Sequence, residues 1–422
     1  MKNVNQAHRL KEIPMLCSID KIDIPVRFSS KRAEIDLYGK SLIITGNNGC
    51  GKTSFITQIF EHLNKAINNH NENDLDYLKN QLNWYNSQLT IIGRDDNVYS
   101  TYLAEKNRLE KRIEELLSFN IITTSNDITE IRSLLRFHDA TRQSKIVSPT
   151  EVPKHSSLIK NNQHFGNDID GSNIFESYLL SLKKNQSYAI SFDKNEEKAL
   201  GIKSWFVKIE NDLRSLFEDP KLTLEFNTSD EKFYLIQDGK EKYTFQNLSS
   251  GFSSILSIYT DLVMRVEMWG VTPENIQGII FIDEIDAHLH VSLQKQILRF
   301  FMKAFPKVQF IVTTHSPFVV TSVTDAVIYD LSSNEQIIDV SSYSYGIVME
   351  ELFGVATESH ALTDKLRNIE SLIKNINHSN IEEIDNEISS LAVDQSNMSE
   401  DAQAFLDRAK LELLKSKKRI QG

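Results

Sequence analysis

A short apolar run, Ser41-Leu-Ile-Ile-Thr45, breaks into Gly46-Asn-Asn-Gly-Cys-Gly-Lys-Thr53, and apolar residues then follow at helical spacing: Phe55, Ile56, Ile59, Phe60 and Leu63. Strand, Gly-rich loop and helix start, in that order, predict a phosphate cradle. Glycines let backbone N–H groups converge on phosphate oxygens, and the helix dipole favours their negative charge. Asn47, Asn48, Gly49, Cys50, Gly51 and Ser54 are the expected phosphate-binding neighbours of Lys52 and Thr53. Lys52 is expected to reach the β- and γ-phosphates, and the Thr53 hydroxyl to ligate Mg²⁺. A Gly-rich turn can precede a helix without binding anything. The spacing Gly-x4-Gly-Lys-Thr between a strand and a helix favours ATP or a similar nucleoside triphosphate as the ligand.

At 422 residues the chain exceeds one ordinary domain. The expected division is a nucleotide-binding domain over residues 1–358 and a helical region over 359–422, a candidate for partner docking. Hydrophobic residues at 40% supply enough core for both. Two cysteines, Cys17 and Cys50, exclude a disulfide scaffold and suit a reducing, cytoplasmic setting. No apolar run approaches the roughly 18 residues of a membrane span, and the N-terminus lacks a signal-peptide pattern, so no membrane partner is expected. A net charge of −11 argues against non-specific nucleic-acid binding by the whole surface. Basic residues do gather at Arg27, Lys31, Arg32 and Lys40 and again from Arg408 to Arg419, which leaves local DNA contact open.

Along the chain, β-prone runs at Leu16–Ile19, Ala33–Leu37 and Leu42–Ile44 predict a small β-layer feeding the phosphate loop. Leu75, Leu78, Leu82, Tyr85, Leu89 and Ile92, then Tyr102, Leu109, Ile113 and Leu116, fall three and four apart around a break at Gly93–Asn97. They predict an inserted helical hairpin over about 72–119, either projecting or packed flat on the core. Leu134–Phe137 reads as a strand, and helical runs recur around Ile174–Leu182 and Ile202–Leu216. Lys221–Phe226 alternates as a strand, and Phe233–Ile236 is expected to turn at Asp238-Gly239 and pair with Tyr243–Phe245. A helix from Leu293 to Phe301 separates the apolar runs Gly278–Ile282 and Val308–Thr313, which implies parallel strands with a right-handed crossover. Three amphipathic segments close the chain, at Leu366–Ile376, Ile381–Leu391 and Ala402–Leu414.

Asp283 ends an apolar strand, where its carboxylate can hold Mg²⁺, and the adjacent Glu284 is a candidate base for an attacking water. His315 follows the next strand and is a candidate sensor of the γ-phosphate. His288 and His290 flank the Asp286 turn, but no further Cys or His completes a metal-ligand set. Leu248-Ser-Ser-Gly251 opens a helix, which alone would be an N-cap. Taken with the phosphate loop, Asp283-Glu284, Asp286 and His315, in this order, it resembles the signature loop of ABC-type ATPases. That resemblance implies a mixed α/β head with a β-layer. It also implies a dimer in which Ser249, Ser250 and Gly251 complete the partner's ATP site, Asp286 lies beside it, and catalysis falls to Glu284 and His315. A clear Q-loop is missing; Gln143, in Ala140-Thr-Arg-Gln143, is the candidate.

The short hairpin is similar to that of RecF-like and SMC-like ATPases. Three runs, Leu248–Leu256 with Asp261–Arg265, Ile282–His290 and Tyr345–Gly354, resemble the ATPases of bacterial anti-phage systems. They are similar to the PtuA ATPases of Septu, found also with retrons, and resemble the PARIS and OLD ATPases more remotely. The resemblance implies an ATP- and Mg²⁺-dependent homodimer controlling a separate effector such as an HNH nuclease. The retron association adds a reverse transcriptase and its non-coding RNA as partners to consider. A RecF-like DNA-repair ATPase and a slowly hydrolysing scaffold are the rival readings. No TOPRIM-like or HNH-like pattern follows His315, so no intrinsic nuclease is expected.

Overall fold

The computed structural model describes residues 18–68, 75–92, 98–124, 134–142, 146–149, 154–161, 165–166, 169–337, 340, 343, 345–353, 359–377, 379–392, 395, 398 and 400–421. The chain divides into two compact units, Met1–Tyr343 and Ser344–Gly422. In the first, β1 (Ile19–Pro25) pairs antiparallel with β2 (Arg32–Asp36), and both bury alternate apolar residues such as Ile22, Ile24, Ala33 and Ile35. Residues 16 and 17 of the expected first strand lie outside the described residues, and the strand extends instead to Pro25 because its apolar alternation continues that far.

β3 (Ser41–Thr45) is buried along its whole length and leads into α1 (Lys52–Asn68). α2 (Leu75–Ile91) and α3 (Tyr99–Ser118) then form the hairpin insertion. Only Leu78 and Ile113 are buried in it, so packing relies on side-chain stripes and on the rings of Trp84, Tyr85 and Tyr102, whose centroids lie 4.9–5.7 Å apart. β4 (Asn120–Thr123) returns to the β-layer and pairs antiparallel with β1 on the side away from β2.

β5 (Leu135–His138) begins the helical flank of the unit, with α4 (His155–Asn161), α5 (Phe175–Ser191) and α6 (Glu196–Leu216) following. The strands β6 (Thr223–Asn227) and β7 (Lys232–Ile236) form the hairpin here. The expected pairing of Phe233–Ile236 with Tyr243–Phe245 reduces to one bridge, Leu235 to Tyr243. The tighter loop before β7 outcompetes the Asp238-Gly239 turn, because β6 offers a full ladder of five register pairs.

α7 (Ser250–Trp269) precedes β8 (Gly278–Ile282). The single helix expected between the next strands is two, α8 (Val291–Gln294) and α9 (Ile297–Ala304), because Gln296 leaves helical geometry at φ −134°. β9 (Val308–Thr313), α10 (Pro317–Val320), β10 (Ala326–Asp330) and β11 (Glu335–Ile337) complete the unit. The central sheet has the order β11-β10-β3-β9-β8-β5, all parallel except the β10–β11 edge. Its core joins α1 and the β-layer through residues such as Phe55, Ile59, Ile44, Phe281, Ile311, Ile22 and Ile35. The protein is thus a mixed α/β head with a β-layer and a helical insertion.

In the second unit, α11 (Tyr345–Phe353) is followed by α12 (His360–Lys374), α13 (Ile381–Ala392) and α14 (Glu400–Gln421). The last three share a core of Ile369, Ile384, Ile388, Leu391, Leu406, Ala409 and Leu413. Among the described residues no helix is long and apolar enough to cross a membrane.

A buried ion cluster ties α7 to β5. Asp261, fully buried, accepts from Arg265 Nε and Arg136 Nε, each at 3.1 Å, and from the Gly171 N–H at 2.7 Å. Arg265, equally buried, also donates to the carbonyls of Gly166 and Ile169. Burial opposes charge on Asp261, but Arg265 and Arg136 hold it below the usual carboxylate range. Beside them burial pushes the His138 imidazole down to about 3 from the ordinary 6.5. Below that ordinary value the unfolded chain takes up a proton that the folded chain refuses, so stability falls with pH from 6.5 toward 3. His138→Gln is expected to flatten this fall, sparing about 2 kcal/mol of acid destabilisation at about pH 5. Thermal midpoints across that range check it; equal slopes in both proteins would show that His138 is not the group responsible.

Candidate active site

The C-terminal ends of β3, β8 and β9 meet at one edge of the sheet, because adjacent parallel strands all end on the same side. The loop after β3 turns through three glycines with positive φ, +134° at Gly46, +78° at Gly49 and +95° at Gly51. A Cβ on Gly46 would lie 2.7 Å from Ser332 Oγ and 2.9 Å from Asp330 Oδ1, so the β10–β11 turn presses directly on the loop. Ser332 also accepts the Asn47 N–H at 2.7 Å. Positions 49 and 51 face open space, which leaves their backbone accessible to a bound anion.

Lys52 is buried, and its ammonium donates to the carbonyls of Gly46 at 2.9 Å and Asn47 at 3.2 Å. Burial lowers its pKa, while Cys50, Glu284 and Asp283 work to keep it charged. Thr53 Oγ1 donates to Asp283 Oδ2 at 2.8 Å, and Thr313 Oγ1 donates to Asp283 Oδ1 at 2.6 Å. Thr313 Oγ1 in turn accepts the Glu284 N–H at 2.7 Å. Glu284 sits at φ +46°, a left-handed conformation costing about 1–2 kcal/mol for a residue with a Cβ. Such strain persists where surrounding contacts over-determine it.

The cleft so formed encloses 590 Å³ and is lined by Asn48, Gly49, Gly51, Lys52, Thr53 and Ser54 together with Asp283, Glu284 and His315. His315 Nδ1 lies 3.4 Å from Lys52 Nζ, and burial followed by the Lys52 charge lowers its pKa, keeping it neutral near pH 7. Asn47 and Cys50 are not in the lining: the Asn47 N–H is committed to Ser332, and Cys50 packs on the core. Thr53 and Asp283 present adjacent hydroxyl and carboxylate oxygens, a hard donor set that suits Mg²⁺. The open loop backbone and the inward ammonium suit a polyphosphate. The residues therefore fit both groups.

Ser249, Ser250 and Gly251 lie outside this cleft. Ser249 caps α7 with no side-chain hydrogen bond, and both serines are exposed. Gly251 is buried, and a Cβ there would come within 2.4 Å of the His288 carbonyl, so the start of α7 rests on the turn after β8. Asp286 in that turn does not reach the cleft, since its carboxylate accepts from Thr314 Oγ1 at 2.5 Å. His290 caps α8 by accepting the Ser292 N–H. Among the described residues no cluster of three or more His, Cys, Asp or Glu is placed to hold a metal. Gln143 lies outside the described residues.

Three side chains at the site carry no signal in local sequence. Arg27 reaches the cleft from the β1–β2 turn and pairs with Glu61 at 2.7 Å; it read only as part of a basic cluster. Thr313 is an ordinary strand residue until β8 and β9 are paired. Arg142, beside Gln143, binds the turn that carries Glu284.

Residues 41–321 match the family described as "AAA domain, putative AbiEii toxin, Type IV TA system". The chain belongs to this family. It is 25% identical over 404 residues to the retron Vc95 probable ATPase of Vibrio cholerae serotype O1 biovar El Tor, spanning 79% of this chain and 78% of that protein. Septu protein PtuA of Bacillus mycoides is 32% identical over 132 residues, which span 31% of this chain but only 18% of PtuA. The retron Ec83 probable ATPase of Escherichia coli is 37% identical over 115 residues, 26% of this chain and 21% of that one. Among solved structures, an SMC head bound to the C-winged helix domain of ScpA is 14% identical at a TM-score of 0.36, covering 76% of this chain and 96% of that one. The expected resemblance to the Septu PtuA and retron-associated ATPases is borne out.

Two glycine variants test the built loop. Gly46→Ala and Gly49→Ala both force on alanine a positive φ that L side chains rarely adopt, but only the first also drives a methyl into Ser332 and Asp330. Gly46→Ala is expected to lower the thermal midpoint and the affinity for a fluorescent ATP analogue further than Gly49→Ala. Equal losses would mean that the β10–β11 turn yields freely.

Proposed function

We propose that the chain binds ATP and Mg²⁺ in this cleft and hydrolyses ATP between two copies joined head to tail. Turnover would control a separate effector, a nuclease, in anti-phage defence. The observation that carries this reading is the division of the machinery. The phosphate loop, Asp283, Glu284 and His315 share one cleft, while the exposed serines at the start of α7 stand outside it, the Ser249 side chain making no cap hydrogen bond. A helix N-terminus with unsatisfied donors favours an anion, and the γ-phosphate held by a second copy fits that need.

In each half-site Lys52 would leave the carbonyls of Gly46 and Asn47 and turn to the β- and γ-phosphates. Thr53 and Asp283 would supply oxygen ligands to the metal. Bound Mg²⁺ would neutralise phosphate charge and help orient the terminal phosphoryl group. Glu284 would accept a proton from the attacking water, or orient it, and the neutral His315 would hydrogen-bond beside it. The defence assignment draws on the retron and Septu relatives. For the effector we assign the C-terminal helices, where Leu411 and Leu414 of α14 remain exposed.

Glu284→Gln is expected to keep ATP binding and lose about 10²–10⁴-fold in turnover, accumulating as an ATP-bound dimer in size-exclusion chromatography. Unchanged turnover would remove Glu284 from the mechanism. The dimer itself is tested by mixing. Lys52→Ala and Ser249→Arg proteins, each inactive alone, should regain activity together, since each heterodimer contains one intact composite site. A mixture no more active than the sum of its parts would favour a monomeric ATPase.

A further inference from the structure

We infer that Arg142 is the positioning residue for Glu284, its guanidinium clamping the turn that aims the carboxylate. The inference rests on the ATPase reading above. Arg142 Nη1 donates to the Asp283 carbonyl at 2.7 Å, and Nη2 donates to the carbonyls of Glu284 at 3.1 Å and Ile285 at 3.4 Å. One planar fork thus holds three consecutive carbonyls. They converge because the chain leaves β8 through the left-handed conformation of Glu284, at φ +46°. A second bond from Nη1 to the Asp139 carbonyl, 3.0 Å long, fixes the arginine to its own loop.

The other side of Glu284 is held by β9. Its N–H donates to Thr313 Oγ1 at 2.7 Å, and the next N–H, of Ile285, donates to the Thr313 carbonyl at 3.0 Å. The peptide groups before and after the Glu284 Cα are therefore gripped from two directions, and the Cα–Cβ bond has one orientation. Arg142 is absent from the cleft lining, so it acts through the turn and touches no reacting atom. Its charge stands among Asp139, Asp283, Glu284 and Asp286. Burial pushes its pKa down to about 10, which leaves it charged near neutral pH. Lysine would keep the charge but offers a single ammonium, which cannot reproduce a planar fork on three carbonyls.

The loop that bears Arg142 starts from an anchored strand. Arg136 on β5 is bonded to the buried Asp261 of α7, and the His138 carbonyl accepts the Asp283 N–H at 2.9 Å. Arg142 thereby connects the helix that opens with Ser249 and Ser250 to the turn that holds Glu284.

The test is steady-state ATP hydrolysis with Mg²⁺, together with binding of a fluorescent ATP analogue, for the full chain and its Arg142→Ala and Arg142→Lys variants. Arg142→Ala is expected to lose about 10²-fold in kcat, as for a displaced catalytic group, while KM and analogue affinity stay near wild type. Arg142→Lys should remain impaired in kcat. Millimolar guanidinium chloride should restore part of the Arg142→Ala rate and leave Glu284→Gln unchanged. Wild-type kcat in either variant overturns the inference. So does a parallel loss of binding, thermal midpoint and rate without guanidinium rescue, which is the signature of a merely structural arginine. If Arg142→Ala does not fold, Arg142→Lys decides by the same criteria. A wild-type protein without ATP turnover would instead refute the ATPase reading on which the inference rests.

Discussion

The parallel ladder of β3, β9 and β8 is the constraint on which the site depends. Ile44 stands beside Thr313 in register, and Ile282 beside Val312. The phosphate loop, Asp283 and His315 consequently leave the sheet at one level and on one edge. A slip of one residue would turn every side chain of a strand to the opposite face. The register is protected because all three strands are buried along their length. The bonds from Thr53 and Thr313 to the two oxygens of Asp283 then lock the helix after β3 to the ends of the other two strands.

Buried charge supplies a second framework behind the first. Asp261 and Arg265 are tolerated in the interior because each is answered by charges and backbone groups from other segments. Breaking one member would leave the others desolvated and unpaired, which costs more than the pair contributes. This makes the cluster a strict specification of where β5 and α7 lie. The turn bearing Glu284 inherits that precision through Arg142 and through the Asp283 N–H bond to the His138 carbonyl.

Strained backbone also occurs where the chemistry is expected. Glu284 at φ +46° and His288 at φ +63° bracket the turn after β8. The turn also supports Gly251, which no larger residue could replace against the His288 carbonyl. The start of α7 and the turn bearing Glu284 are therefore mechanically joined within one chain, whatever completes the site from outside.

Much of this was legible in the linear chain. The strand–glycine loop–helix of residues 41–63, the apolar run ending at Asp283 and Glu284, and the helices of the insertion are local patterns: each is written in the spacing of neighbours, and backbone geometry reads it directly. The pairing of the edge strands β10 and β11 is not readable from spacing, and Phe233–Ile236 keeps only one bridge to its expected partner, because pairing depends on which strand offers the better ladder. Thr313, Arg27 and Arg142 were unreadable as site residues for the same reason. Arg142 and the carbonyl of Asp283 are 141 positions apart, and Thr313 and Asp283 are 30. Sequence by itself determined which residues could cradle a phosphate, since that chemistry lies within a few adjacent peptides. Tertiary structure alone decided which side chains aim Glu284, since hydrogen bonds across a sheet exist only after its strands have met.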